Sequence, residues 1–76
     1  MNSEKRTVLK NAISLLERVI VSVDSVCDKE QDAIDNYPEN LQSTDVYGAM
    51  ENAVENLEDA LERLDEAKNM IEAAAS

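Results

Sequence analysis

Glu51, Glu55, Glu58, Glu62, Asp65 and Glu72 stand at alternating steps of four and three residues, interrupted only by Asn69. On an α-helix that spacing draws an acidic line along one flank, roughly 30 Å long at 1.5 Å per residue. Carboxylates in this number could ligate a metal, work as an acid–base pair or present a polyanionic surface. Di-metal sites in helical bundles combine inward-facing Glu with histidine. This chain has no histidine, so the usual general base and the commonest transition-metal ligand are both missing. Glu30 is the one carboxylate on an apolar seam, and Lys68 is the polar residue of the other seam. Both read as residues that set register or snorkel to an edge, and Glu30 is expected to face the stretch from Met50 to Ala53. Nucleophile triads, glycine-rich phosphate loops and zinc spacings are absent. The expectation is a non-enzyme without cofactor or metal. The acidic line keeps two readings: a face that keeps a sticky bundle soluble, or a mimic of a nucleic-acid backbone that occupies a basic groove.

A second candidate site lies in Asn36-Tyr37-Pro38-Glu39-Asn40-Leu41-Gln42-Ser43, followed by Tyr47-Gly48. Both aromatic residues of the chain sit here, with its only proline and only glycine. Tyrosine has an apolar body and a polar tip, which suits interfaces. Glycine in the first turns of a helix costs about 1 kcal/mol against alanine, so Gly48 is read as a point of close backbone approach. Tyr37, Pro38, Glu39, Asn40, Gln42, Tyr47 and Gly48 therefore form either a plug at the end of a bundle or a partner-binding tip.

Two long helices must position these groups. Leu9, Ile13, Leu16, Ile20, Val23, Cys27, Ile34 and Tyr37 follow a four-three repeat with Glu30 as its polar exception, a heptad seam of a and d positions. A second seam comprises Tyr47, Met50, Val54, Leu57, Leu61, Leu64 and Ile71, with Lys68 as the exception. The spacing predicts a helix over about 4–36, a turn over about 37–43 and a helix over about 44–75. Pro38 stops the first, and Ser43 or Thr44 caps the second with Asp45 in its first turn. The short connector folds the helices back antiparallel, and the basic start Lys5, Arg6, Lys10 and Arg18 then lies beside the acidic end of helix two. The fold class expected is all-α, an antiparallel, coiled-coil-like helical hairpin.

Each seam has a flanking apolar row at g, in steps of seven: Ala12, Val19, Val26 and Ala33 in the first helix, and Val46, Ala53, Ala60, Ala67 and Ala74 in the second. Three apolar rows are wider than one partner helix can cover. Two hairpins pairing into a four-helix bundle, or a larger helical oligomer, would bury them. The g rows, apart from the helix-start Val46, are the expected oligomer interface, with the chain itself as a partner.

Composition narrows the partners further. The formal net charge of −10 is uneven. Residues 1–37 carry seven acids and five bases, net −2, while residues 38–76 carry ten acids and two bases, net −8. Nucleic acid and anionic membranes would repel such a chain as a whole, and basic proteins would attract it. No apolar stretch is long enough to span a bilayer. Met-Asn-Ser-Glu-Lys-Arg leads into an amphipathic pattern, so no signal peptide is read. Cys27 is the only cysteine, which excludes a disulfide framework and fits a buried thiol in a reducing, cytoplasmic setting.

Glu30-Gln31-Asp32-Ala33, then Asn36-Tyr37-Pro38-Glu39-Asn40-Leu41-Gln42, then Gly48-Ala49-Met50-Glu51 resemble a group of short acidic proteins of phages and mobile elements of gut Gram-positive bacteria. The similarity covers most of the chain, and no functional residue carries over from it. What the resemblance implies is a setting: small phage accessory proteins bind and block host factors, antiviral defence components among them. The function expected first is therefore a stoichiometric binder that inhibits a host protein, acting in the host cytoplasm. The alternatives are an oligomeric sponge for a nucleotide-type immune signal, using Lys5, Arg6, Lys10, Arg18, Tyr37 and Tyr47, a nucleic-acid mimic, and a purely structural dimerisation module.

Overall fold

A computed structural model describes residues 1–76. Helix α1 runs over Ser3–Asp35, a single 3-10 turn over Glu39–Leu41 and helix α2 over Asp45–Ala75, with no strand. The first helix begins where Asn2, in extended conformation, accepts the Lys5 N–H on its side-chain oxygen at 2.8 Å. That bond satisfies one of the amides a helix start leaves free, and Glu4 in the first turn complements the helix dipole. At the other end, the Asn36 backbone and side-chain N–H groups both donate to the Asp32 carbonyl, at 3.1 and 2.8 Å. Pro38 then adopts φ −58° and ψ 133°, outside the helical region.

The connector is held by its own backbone. The Leu41 N–H donates to the Pro38 carbonyl, and the Thr44 hydroxyl donates to the Leu41 carbonyl at 2.7 Å. The same Thr44 oxygen accepts the Tyr47 N–H at 3.4 Å, so Thr44 is the N-cap of α2. A hairpin about 60 Å long and 14 Å thick results.

The seams meet between the helices. Cys27, Ile34 and Val54 form the buried cluster, with Tyr47, Met50, Leu57 and Leu61 packed against it. The remaining seam residues of α1, from Leu9 to Val23, are only half-buried, as are Leu64 and Ile71. Ala75 is buried and extends the second seam one step beyond Ile71. Gln31 and Ile34 share a groove with Glu51, Val54, Glu55 and Glu58, and Glu30, one residue before Gln31, is half-buried. Lys68 lies far from it, near the open end. The single side chain–side chain hydrogen bond joins Gln31 to Asp35 at 2.9 Å, so the cations at the start of α1 make none with the acids of α2.

Gly48 corrects one expectation. A methyl group built at its Cα meets nothing within 4 Å, and its φ is not positive. No close approach inside the hairpin requires glycine there. Gly48→Ala is accordingly expected to stabilise the hairpin by about 1 kcal/mol, through helix propensity and a less flexible unfolded chain. Thermal and urea melts followed by circular dichroism measure this. A loss of stability would mean that another chain sits against that spot.

Candidate interaction surfaces

In an antiparallel pair, the e rows of both helices project to one side of the shared seam and the g rows to the other. On the e side α1 places Lys10, Glu17, Asp24 and Gln31, and α2 places Glu51, Glu58, Asp65 and Glu72. The line noted in the sequence is thus one wall of an acidic trough whose other wall adds Glu17 and Asp24. Gln31, Ile34, Glu51, Val54, Glu55 and Glu58 line a groove of about 290 Å³ on this side. A smaller polar hollow of about 150 Å³ lies among Asp59, Glu62, Arg63 and Glu66 on the outer face of α2. No group of three or more Asp, Glu or Cys side chains is arranged to hold a metal ion.

The trough acts on the one thiol. Burial raises the pKa of Cys27 above its ordinary 9.0, and the charges of Glu58, Asp28 and Asp24 raise it further. Because the thiolate is the nucleophile, alkylation of Cys27 at pH 8 is expected to be slower in the folded chain than in an unfolded peptide. The linkage has a definite sign: the folded state holds this proton more tightly, so stability falls as pH rises above 9.0. Iodoacetamide labelling with and without urea measures the reactivity. Equal rates would show that the seam around Cys27 opens readily.

The g side is chemically unlike the e side. Ala12, Ala60 and Ala67 are half-buried there, while Val19, Val26, Ala33, Ala53 and Ala74 are exposed. Next to g runs the c row, which sequence reasoning missed. It adds Val8 and Leu15 on α1 and Met70 on α2, all exposed. Its signal was legible as a seven-residue step from Val8 to Leu15, but Ser22 and Lys29 end it. Within the two helices the g and c rows comprise eighteen positions, occupied by Lys5, Lys29, Arg63 and otherwise uncharged residues. Although Asp and Glu make up 17 of 76 residues, none falls on this side.

At the tip, Tyr37 and Tyr47 pack ring to ring, with centroids 5.5 Å apart and planes tilted by 50°. Both are half-buried, and Tyr47 also packs against the Cys27–Ile34–Val54 cluster. The Gln42 side-chain amide donates to the Tyr37 carbonyl at 3.4 Å. The tyrosines therefore close the end of the seam, and Pro38, Glu39, Asn40 and Gln42 are left as the exposed residues of the turn.

Within one hairpin the cations and tyrosines of the nucleotide-sponge alternative stand apart. Lys5, Arg6, Lys10 and Arg18 lie toward the open end, and both tyrosines lie at the tip of a molecule 60 Å long. A cleft of about 450 Å³ at the start of α1 is lined by Met1, Asn2, Glu4, Lys5, Val8 and Leu9, without an aromatic ring. In comparisons with known proteins, no family model, curated protein or solved structure matches this chain.

Proposed function

We propose that this chain is a non-enzymatic accessory protein of a phage or mobile element. It self-associates through the acid-free side and binds, thereby inhibiting, a basic host protein such as an antiviral defence component. The observation that carries this reading is the division of one hairpin into two unlike sides. A surface needed only for solubility has no reason to leave all eighteen g and c positions without one acid while e, b and f collect them. Sorting of this kind separates a side that meets apolar surface from a side that meets charge.

Basic protein surfaces suit the acidic side, because nucleic acid and anionic lipid would be repelled by it. No helix is long and apolar enough to cross a membrane. The resemblance of the Asn36–Gln42 turn and its flanks to short phage proteins supplies the host-cell setting, with the cytoplasm as the place of action.

Affinity capture from host lysate tests the reading, with the unaltered chain and Glu55→Lys/Glu58→Lys/Glu62→Lys as paired baits. The charge-reversed bait should recover at least about tenfold less of a basic partner, as expected when complementary charge sets association. Equal recovery by both baits would exclude the acidic side as the working surface. Alanines at Glu39, Asn40 and Gln42 should leave recovery unchanged. If they abolish it while the charge reversal does not, the turn is the binding site.

A further inference from the structure

We propose that the occupant of the acid-free side is a second copy of this chain, docked face to face about a twofold axis parallel to the hairpin's length. Both tips then lie at the same end, and α1 of each copy lies over α2 of the other. This deepens the self-association part of the reading above and rests on it.

Surface area identifies a large missing contact. The hairpin exposes 5613 Å², whereas a folded chain of 8.4 kDa is expected to expose roughly 4,600 Å². The difference, about 1,000 Å², slightly exceeds the roughly 800 Å² per partner that a standard stable interface buries. Val21 at 69% exposure lies on the b row of the opposite side, but most of the large exposed apolar residues sit on the acid-free side: Val8 at 62%, Leu15 at 59%, Val19 at 44%, Val26 at 54%, Val46 at 61% and Met70 at 72%. Because that side carries no acid, a second strongly acidic copy can approach there without placing carboxylates against apolar surface.

Two features select the arrangement. Most of the larger apolar residues of this side belong to α1, and α2 offers mainly alanines, with Val46 and Met70 toward its two ends, so α1 over α2 sets large against small along the middle of the contact, where Val19 and Val26 lie. Charge agrees, because residues 38–76 carry net −8 and residues 1–37 carry net −2. Setting α2 beside α1 of the other copy keeps the two most acidic helices apart. A twofold axis along the hairpin also preserves height, so register between copies is inherited from register within one. The pairing of Tyr37 with Tyr47 and of Ile34 with Glu51 and Val54 then places Val26 roughly level with Ala60, and Val19 with Ala67. The rival axis, across the hairpin, would stack α1 on α1 and α2 on α2, with Val19 meeting Val19 and Ala67 meeting Ala67, or Val26 meeting Val26 and Ala60 meeting Ala60, according to the height of the axis.

Sedimentation equilibrium of the full chain should give twice 8.4 kDa, and Val19→Glu/Val26→Glu should weaken the dimer at least about a hundredfold. In a Cys27→Ala background whose helicity is checked by circular dichroism, Val26→Cys and Ala60→Cys chains mixed under oxidation should yield a covalent dimer of one of each. Neither Val19→Cys nor Ala60→Cys alone should link to itself. A monomer would overturn both this proposal and the self-association part of the functional reading. A dimer in which Val19→Cys or Ala60→Cys self-links would overturn only the arrangement, and a trimer or larger species would overturn the twofold pair.

Discussion

Ile34→Ala is expected to destabilise the hairpin by about 2–4 kcal/mol, the range for removing most of a buried aliphatic side chain together with the cavity left behind. Ile34 is one of only four buried residues, at 8% exposure, and it forms the central cluster with Cys27 and Val54. The cluster lies toward the tip, where Tyr37 and Tyr47 close the seam. Toward the open end the same seam is thinner, because Ile13 and Leu16 are only half-buried. Ile13→Ala should therefore cost less than half as much as Ile34→Ala if the hairpin stands alone. Urea melts monitored at 222 nm compare the two variants directly. An equal cost at Ile13 would be the mark of a second chain covering the open end, and the difference should then depend on protein concentration.

The contrast between these isoleucines also shows what the sequence can and cannot express. Both occupy a positions, and periodicity treats them alike, so the helices, their antiparallel return and the seam were legible from spacing and from Pro38. Burial depth was not, because it depends on which side chains of the other helix lie opposite each position. Gly48 makes the same point from the other direction. Glycine in a helix is a genuine anomaly, but whether anything approaches it is a property of three-dimensional space, and in the hairpin nothing does. The c row escaped notice because Val8 and Leu15 supply only one seven-residue step. Its weight comes from lying beside g on a side free of acids, which requires knowing that the g rows of the two helices share a side. The acidic trough was half legible: the α2 wall shows in the spacing, whereas Asp24 and Glu17 join it only through antiparallel pairing.

Raising NaCl from 0.01 to 1 M is expected to stabilise the hairpin by about 1–2 kcal/mol, by relieving the repulsion along α2. Glu51–Glu55, Glu55–Glu58, Glu58–Glu62 and Glu62–Asp65 are like-charged neighbours at spacings of four or three, each destabilising by about 0.2–0.5 kcal/mol. Asp24 and Glu58, both close enough to Cys27 to raise its pKa, add repulsion across the trough. Screening shortens from about 30 Å to about 3 Å over this salt range, which removes most of the penalty. Glu55→Gln/Glu58→Gln/Glu62→Gln should gain stability at low salt and respond far less to added salt. An unchanged salt response in that variant would place the repulsion elsewhere. The same physics bears on the charge-reversed bait. Lysines at 55 and 62 lie four residues from Asp59 and Glu66 respectively, and four and three residues from Glu51 and Asp65, and these four opposite-charge pairs outnumber the two like-charge pairs that lysines at 55, 58 and 62 make with one another. The Glu55→Lys/Glu58→Lys/Glu62→Lys chain should thus fold at least as well as the original at low salt. Loss of a basic partner by that chain would then report on the surface itself, because a hairpin held by its apolar seam gains stability when the acidic line is broken.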